Sequence, residues 1–183
     1  MKYEPTRLEI FLTRLAFFLY GRSVYKSFAD RIPLDGRMRV LDFGCGMGKV
    51  AYYTAKRLPH GQLTCMDISE RWLKVCRKTL RSYGNICYIK GEVTLLSKES
   101  FDAVYCHFVL HDISDSKLEI IIPALAGSLK PGGVLVLREP LKETNKLSFI
   151  RRLIEQNRLL PKDSRITDIP LMGNAYESIY IKQ

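Results

Sequence analysis

No two of the five cysteines in this 183-residue chain are spaced as C-x-x-C. That absence excludes zinc ribbons and thioredoxin-type redox motifs. The odd number does not suit a secreted disulfide scaffold either. The expectation is five reduced, mostly buried thiols in a cytoplasmic protein, with no metal. Long apolar runs are also missing: the longest, Leu15–Tyr20, is far too short to cross a bilayer. Lys2 and Arg7 precede it as in a secretory leader, but Arg14 interrupts the wider apolar region and no A-x-A follows, which argues against a leader. There is no G-x-x-x-x-G-K-[ST] loop for a nucleoside triphosphate. Repeats and low-complexity tracts are absent. So is a polybasic tail, although the formal charge is +10. Residues 1–40 carry 8 basic and 4 acidic side chains, residues 41–140 carry 13 and 10, and residues 141–183 carry 8 and 5. One basic stripe stands out, Arg71, Lys74, Arg77, Lys78 and Arg81, and it reads as the solvated face of a helix.

What is present is ordinary globular composition, 46% apolar and 26% charged, enough for a full core without staples. Residues 5–30 read as helical, with Leu8, Leu12, Leu15 and Leu19 at helical spacing and Gly21 as a dividing point. Strands and helices then alternate. Strands are expected at Arg39–Phe43, Gln62–Asp67, Ile86–Lys90, Phe101–Phe108 and Val134–Arg138. Helices are expected at Lys49–Leu58, Glu70–Tyr83, a segment opened by a Ser116-x-x-Glu119 capping box, and Lys146–Asn157. Such alternation predicts an α/β fold, a mostly parallel sheet with helices on both faces. Arg165–Met172 and Ala175–Ile181, joined by Gly173-Asn174, break the pattern and predict a closing antiparallel hairpin.

The most informative stretch is Val40-Leu41-Asp42-Phe43-Gly44-Cys45-Gly46-Met47-Gly48, between a strand and a helix. Its glycines permit a sharp turn and let a ligand lie on bare backbone. The spacing is G-x-G-x-G, and Lys49 stands where the dinucleotide fingerprint needs glycine. Asp42 would repel a phosphate but attract a sulfonium that carries a free amino group. Asp67, at the end of the second strand in Cys65-Met66-Asp67-Ile68-Ser69, is placed to accept hydrogen bonds from vicinal ribose hydroxyls. Its bland alternative is an acid in the first turn of the following helix.

VLDFGCGMG, MDIS, FDAVYCHFVLHDI and LKPGGVLVLREP resemble, in order and approximate spacing, the successive motifs of class I S-adenosylmethionine-dependent methyltransferases. The resemblance covers about residues 38–182. It implies a Rossmann-like sheet of order 3-2-1-4-5-7-6 with strand seven antiparallel. It implies S-adenosylmethionine as cofactor and S-adenosylhomocysteine as product. Gly44, Cys45, Gly46 and Gly48 would admit the methionyl part, with Asp42 beside it. Asp67 would hold the ribose, Ile68 would pack on adenine and Glu92 would contact adenine, although the family more often has aspartate there. Cys106 and His107 would offer backbone to the methionyl group. The chain then reads as one domain, 1–183, with N-terminal helices as a lid (1–36), a cofactor-binding core (37–140), and a last helix and hairpin (141–183).

With the methyl donor supplying the reactivity, the protein must align a nucleophile and remove its proton if it is a neutral hydroxyl. His111 in Leu110-His111-Asp112-Ile113-Ser114-Asp115 is the candidate base. This run is similar to the LHDWSD stretch of small-molecule O-methyltransferases, with Ile113 in place of tryptophan and no dimerising N-terminal domain. The alternative is a histidine that only lines the pocket. No [DN]-P-P-[YF] follows the fourth strand, which argues against nucleic-acid bases as acceptors. Phe11, Leu15, Phe18 and Tyr20 could wall an apolar acceptor pocket or simply pack on the sheet. An apolar wall with basic surroundings suits a small hydrophobic acceptor and peripheral membrane contact through the N-terminal helices. O-Methylation is favoured. An S-adenosylmethionine-binding module without turnover, or an RNA or protein methyltransferase, is the alternative.

Overall fold

The computed structural model describes residues 4–170 and 172–183, with residues 16, 17, 22 and 23 as backbone only. Lys2, and Leu171 of the expected sixth strand, lie outside the described residues. The chain divides into two compact units, Met1–Glu92 and Val93–Gln183.

In the first unit, α1 (Arg7–Gly21) opens under a reciprocal cap. The Thr6 N–H donates to Glu9 Oε2 at 2.6 Å and the Glu9 N–H to Thr6 Oγ1 at 3.1 Å. At Gly21 the α-helix gives way to a π turn (Arg22–Lys26) and then to the short α2 (Ser27–Arg31). β1 (Arg39–Phe43), α3 (Lys49–Lys56), β2 (Gln62–Asp67), α4 (Glu70–Thr79) and β3 (Ile86–Lys90) follow. β1, β2 and β3 pair in parallel, with Asp42 opposite Cys65 and Asp67 opposite Lys90. Near-continuous apolar runs such as Val40-Leu41 suit strands that are covered on both faces. α4 turns Leu73 and Cys76 inward. It ends at Thr79 rather than Tyr83, with Leu80 still buried as its C-cap.

α1 departs from the expected packing. Leu8, Phe11, Leu12, Leu15, Phe18 and Leu19 do form one stripe at helical spacing, but that stripe faces outward. Its exposure runs from 45% at Leu15 to 84% at Phe18. Tyr20 alone of the expected aromatic wall is half-buried.

The second unit contains β4 (Phe101–His107), α5 (Asp115–Ser128), β5 (Leu129–Pro140), α6 (Thr144–Gln156), β6 (Leu159–Ile169) and β7 (Gly173–Lys182). α5 starts at Asp115 after the N-cap Ser114, so Ser116 lies inside the first turn and the expected capping box does not form. Leu118, Ile122 and Leu125 of α5 and Leu147, Ile150 and Ile154 of α6 are buried in this unit's core. β7 runs antiparallel to both β5 and β6. Ile169 pairs with Gly173 and Asp168 with Asn174, so β6 ends at Ile169 and Gly173-Asn174 already belongs to β7. The two-residue turn read from Gly-Asn is thus displaced towards Pro170. Proline has no N–H to donate to a ladder, which favours the end of the strand there.

The seven strands run in the order β3-β2-β1-β4-β5-β7-β6, as the family resemblance implies. Among the described residues no helix is long and apolar enough to cross a membrane.

Candidate cofactor turn and acid-base cluster

The turn after β1 is built on backbone. The Gly44 and Cys45 N–H groups donate to the Met66 carbonyl at 2.9 and 3.0 Å, and the Gly48 N–H donates to the Cys45 carbonyl at 2.9 Å. Gly48 has φ +76°, and a Cβ there would stand 2.7 Å from Cys76 Sγ. Gly46 has φ +51°, and a Cβ there would meet nothing within 4 Å. The first glycine lets the loop close on α4, and the second leaves its backbone bare towards open space.

Asp67 completes this turn. Its Oδ2 accepts the Gly46 N–H and its Oδ1 the Ser69 N–H, each at 2.9 Å. A carboxylate has about four lone-pair sites, so it can accept further donors. Burial raises its pKa, and the two backbone hydrogen bonds oppose that shift. Ile68, the next residue, is 47% exposed, an apolar surface beside the carboxylate. Asp42 is buried at the end of β1, and Glu92 is exposed just beyond β3. Gly44–Gly48, Asp67 and Ile68 are thus brought together within one unit. Glu4, which carried no sequence signal, sits over the start of α4. It accepts from Ser69 Oγ at 2.8 Å and from the Glu70 and Arg71 N–H groups at 3.3 Å. Negative charge is favourable at a helix N-terminus.

In the second unit, Cys106 is fully buried on β4 and His107 ends that strand. His107 Nε2 lies 3.2 Å from Arg138 Nη1. Burial, and then the Arg138 charge, hold its pKa well below the usual histidine value. Arg138 is wholly buried against the equally buried Glu177, which also accepts from Arg165 Nε at 3.0 Å. Pairing of this kind is what makes a buried guanidinium tolerable.

His111 lies in a single 3₁₀ turn, Leu110–Asp112, beyond β4. Its Nδ1 is 2.6 Å from Glu139 Oε2. Glu139 is buried near the end of β5. Its two oxygens also accept the backbone N–H groups of Val109 (3.2 Å), Leu110 (2.8 Å) and His111 (3.3 Å). The carboxylate therefore fixes both the turn and the imidazole through Nδ1, while Nε2 lies 3.4 Å from Oδ1 of the exposed Asp112. Burial alone would lower the pKa of His111. The hydrogen bond and charge of Glu139, with Asp112 and Glu143 adding, outweigh it and raise the pKa above the usual value. His111 lines a cavity of about 410 Å³ together with Phe108, Pro140, Lys142, Met172 and Asn174. Sequence reasoning missed Glu139. Its only signal was an acid near the carboxyl end of a strand in a parallel sheet, the edge where ligands bind in such folds.

Residues 40–133 match the family described as "Methyltransferase domain". A ubiquinone biosynthesis O-methyltransferase from Xanthomonas campestris is 39% identical over 113 residues, covering 60% of this chain and 45% of that protein. A ubiquinone/menaquinone biosynthesis C-methyltransferase from Wigglesworthia glossinidia brevipalpis is 28% identical over 148 residues, covering 78% of this chain and 55% of that one. The chain spans about half the length of these curated relatives. A SAM dependent methyltransferase from Aquifex aeolicus superposes with a TM-score of 0.77 at 16% identity, over 95% of this chain and 98% of that one, and so shares the fold. With the family match over the glycine turn, Asp67 and His111, and with the strand order of the fold, the chain belongs to the methyltransferase-domain family of class I, S-adenosylmethionine-dependent proteins.

Proposed function

We propose that this chain is a methyltransferase for a small, apolar molecule, with His111 as general base and O-methylation as its reaction. The observation that carries this reading is the 2.6 Å contact of His111 Nδ1 with the buried Glu139 beside a cavity. A buried carboxylate that selects the tautomer and raises the basicity of an imidazole is the equipment for taking a proton near neutral pH. An amine, thiol or activated carbon would need such a base less.

The residues of the glycine turn fit the cofactor. Gly46 offers bare backbone, Asp67 keeps acceptor capacity for a ribose diol, and Ile68 presents an apolar surface for adenine. Asp42, Gly44, Cys45, Gly48 and Glu92 join them from the same unit. Cys106 and His107 are assigned by resemblance alone. When bound, S-adenosylmethionine supplies a methyl group activated by a cationic sulfur. His111 then has one task, to accept the acceptor's proton at Nε2 while Glu139 stabilises the imidazolium.

The outward stripe of α1 supports contact with a membrane surface. Six large apolar side chains in one exposed stripe exceed the scattered apolar exposure usual for a monomer. Arg7 and Arg14 are exposed on the same helix, and residues 1–40 carry 8 basic against 4 acidic side chains, which suits anionic headgroups. An apolar acceptor would then be met at the surface where it dissolves.

The test is incubation of the protein with methyl-labelled S-adenosylmethionine and cell extract, followed by mass spectrometry. Label in a small apolar molecule is expected. Label confined to RNA or protein, or cofactor binding without turnover, would overturn the reading.

A further inference from the structure

Three of the five cysteines converge. Cys45 lies in the turn after β1, Cys65 in β2 and Cys76 on the inward face of α4, and all three are buried. Their sulfur atoms lie within 4.8 Å of one another. Cys87 is exposed on β3 and Cys106 is on β4 in the other unit, so neither belongs to this triangle.

We propose that Cys45, Cys65 and Cys76 supply the three thiolates of a site for one thiophilic d10 cation, Cu+ three-coordinate or Zn2+ with a fourth position taken by another ligand. Thiolate donors select these ions over hard cations that prefer oxygen. Zinc–sulfur bonds of about 2.3 Å place coordinated sulfurs roughly 4 Å apart, so a triangle with edges up to 4.8 Å closes by shifts of under about 1 Å. The three ligands come from three separate elements, so a cation would tie the glycine turn to β2 and α4. Gly48 permits this closure, because a Cβ there would stand 2.7 Å from Cys76 Sγ. The alternative role for such thiols is that of small apolar side chains filling a core. Mutual approach of all three sulfurs to within 4.8 Å is what a ligand set requires and core filling does not.

The step balances without electron transfer. Each cysteine that still holds its proton gives it to solvent, three sulfur–metal bonds form, and neither metal nor sulfur changes oxidation state. Binding therefore strengthens as pH rises and adds to folding stability. Cys45 is shared with the turn assigned to the cofactor, but metal retention is read without cofactor or acceptor, so either reading can fail alone.

The test loads the whole reduced chain, freed of metal by chelation, with Zn2+ in one arm and Cu+ in the other, without oxygen. Metal retained after desalting is then counted. One equivalent is expected in at least one arm, and the arm that retains it identifies the ion. X-ray absorption of the loaded wild-type protein should show a three-sulfur shell, at about 2.3 Å for zinc. Cys45→Ser, Cys65→Ser and Cys76→Ser should each weaken binding by about a hundredfold or more, beyond the usual loss of an outer-shell partner, and Cys87→Ser should not. No retention in either arm, a shell of nitrogen and oxygen, or equal affinity in the three variants would overturn the site. The absorption measurement on wild type keeps the test decisive if a variant fails to fold.

Discussion

Asp67 and Glu139 invite comparison, because both are buried carboxylates near the carboxyl end of a strand and both accept backbone N–H groups from a neighbouring turn. Asp67 accepts two such bonds, beside the exposed Ile68 and the open backbone of Gly46. Its remaining lone pairs are available to a ligand. Glu139 accepts three backbone bonds and the imidazole of His111, which saturates it. On the proposed reading, the first acid would hold a ligand that comes and goes. The second holds the His111 imidazole, the proposed base, in one orientation. Burial alone therefore does not fix the role, and counting unfilled acceptor capacity separates the two.

The largest effect expected from this contrast is at His111. If the acceptor is a hydroxyl, His111→Ala should lower kcat by roughly a hundredfold or more while cofactor affinity stays as it was. Steady-state kinetics with parallel calorimetry checks both, and a wild-type rate would remove His111 as base. A joint loss of cofactor binding would instead show a structural role for the turn. At the other acid the signature is reversed. Asp67→Ala should weaken S-adenosylmethionine binding by about 1.5–3 kcal/mol, the usual range for hydrogen bonds to a charged group. Unchanged affinity in calorimetry would take Asp67 out of the site.

A smaller effect concerns pH. The raised pKa of His111 means that the folded state keeps a proton the unfolded chain has lost. That contribution to stability is complete below the ordinary histidine value of about 6.5 and disappears as pH rises through the raised value. Activity should rise over the same interval, because the base must be neutral. Glu139→Gln should move both inflections to lower pH, which thermal denaturation and kcat profiles across that range would register. Profiles that coincide with wild type would mean that Glu139 does not govern His111.

The smallest effect on the fold, and the most selective on location, belongs to α1. Phe18→Ser replaces the most exposed of the stripe's side chains, so Tm should hold, surface changes usually staying within about 0.5 kcal/mol. Flotation with anionic phosphatidylserine vesicles should nevertheless fall, and turnover of a soluble acceptor should not. Equal flotation of the two proteins, or none by wild type, would break the membrane reading.

The parts of the site that were legible are those in which neighbours in the chain are neighbours in space. Gly44-x-Gly46-x-Gly48 between a strand and a helix, with Asp67 one strand later, carries its geometry in its spacing, because a positive φ at Gly46 and Gly48 and the end of β2 are local matters. β1, β2 and β3 were placed residue for residue for the same reason: short apolar runs bounded by glycine, proline or charge admit little else. The start of α5 was misjudged by one cap. Ser114 and Ser116 are chemically alike, and only the chain's path decides which of them takes the N-cap position.

By itself, then, the order of residues determined the alternation of elements, the strand order through its family motifs, and the glycine turn with its acid. Tertiary structure alone decided three things. Glu139 meets His111 across 28 residues, because the end of β5 is brought to the turn after β4. Cys45, Cys65 and Cys76 meet because the turn after β1, β2 and α4 pack into one core. The apolar stripe of α1 faces outward, although its spacing would equally suit a buried helix. Periodicity defines a face but not what that face meets. Long-range pairing of side chains depends on register and packing, which are properties of the assembled sheet rather than of any one segment.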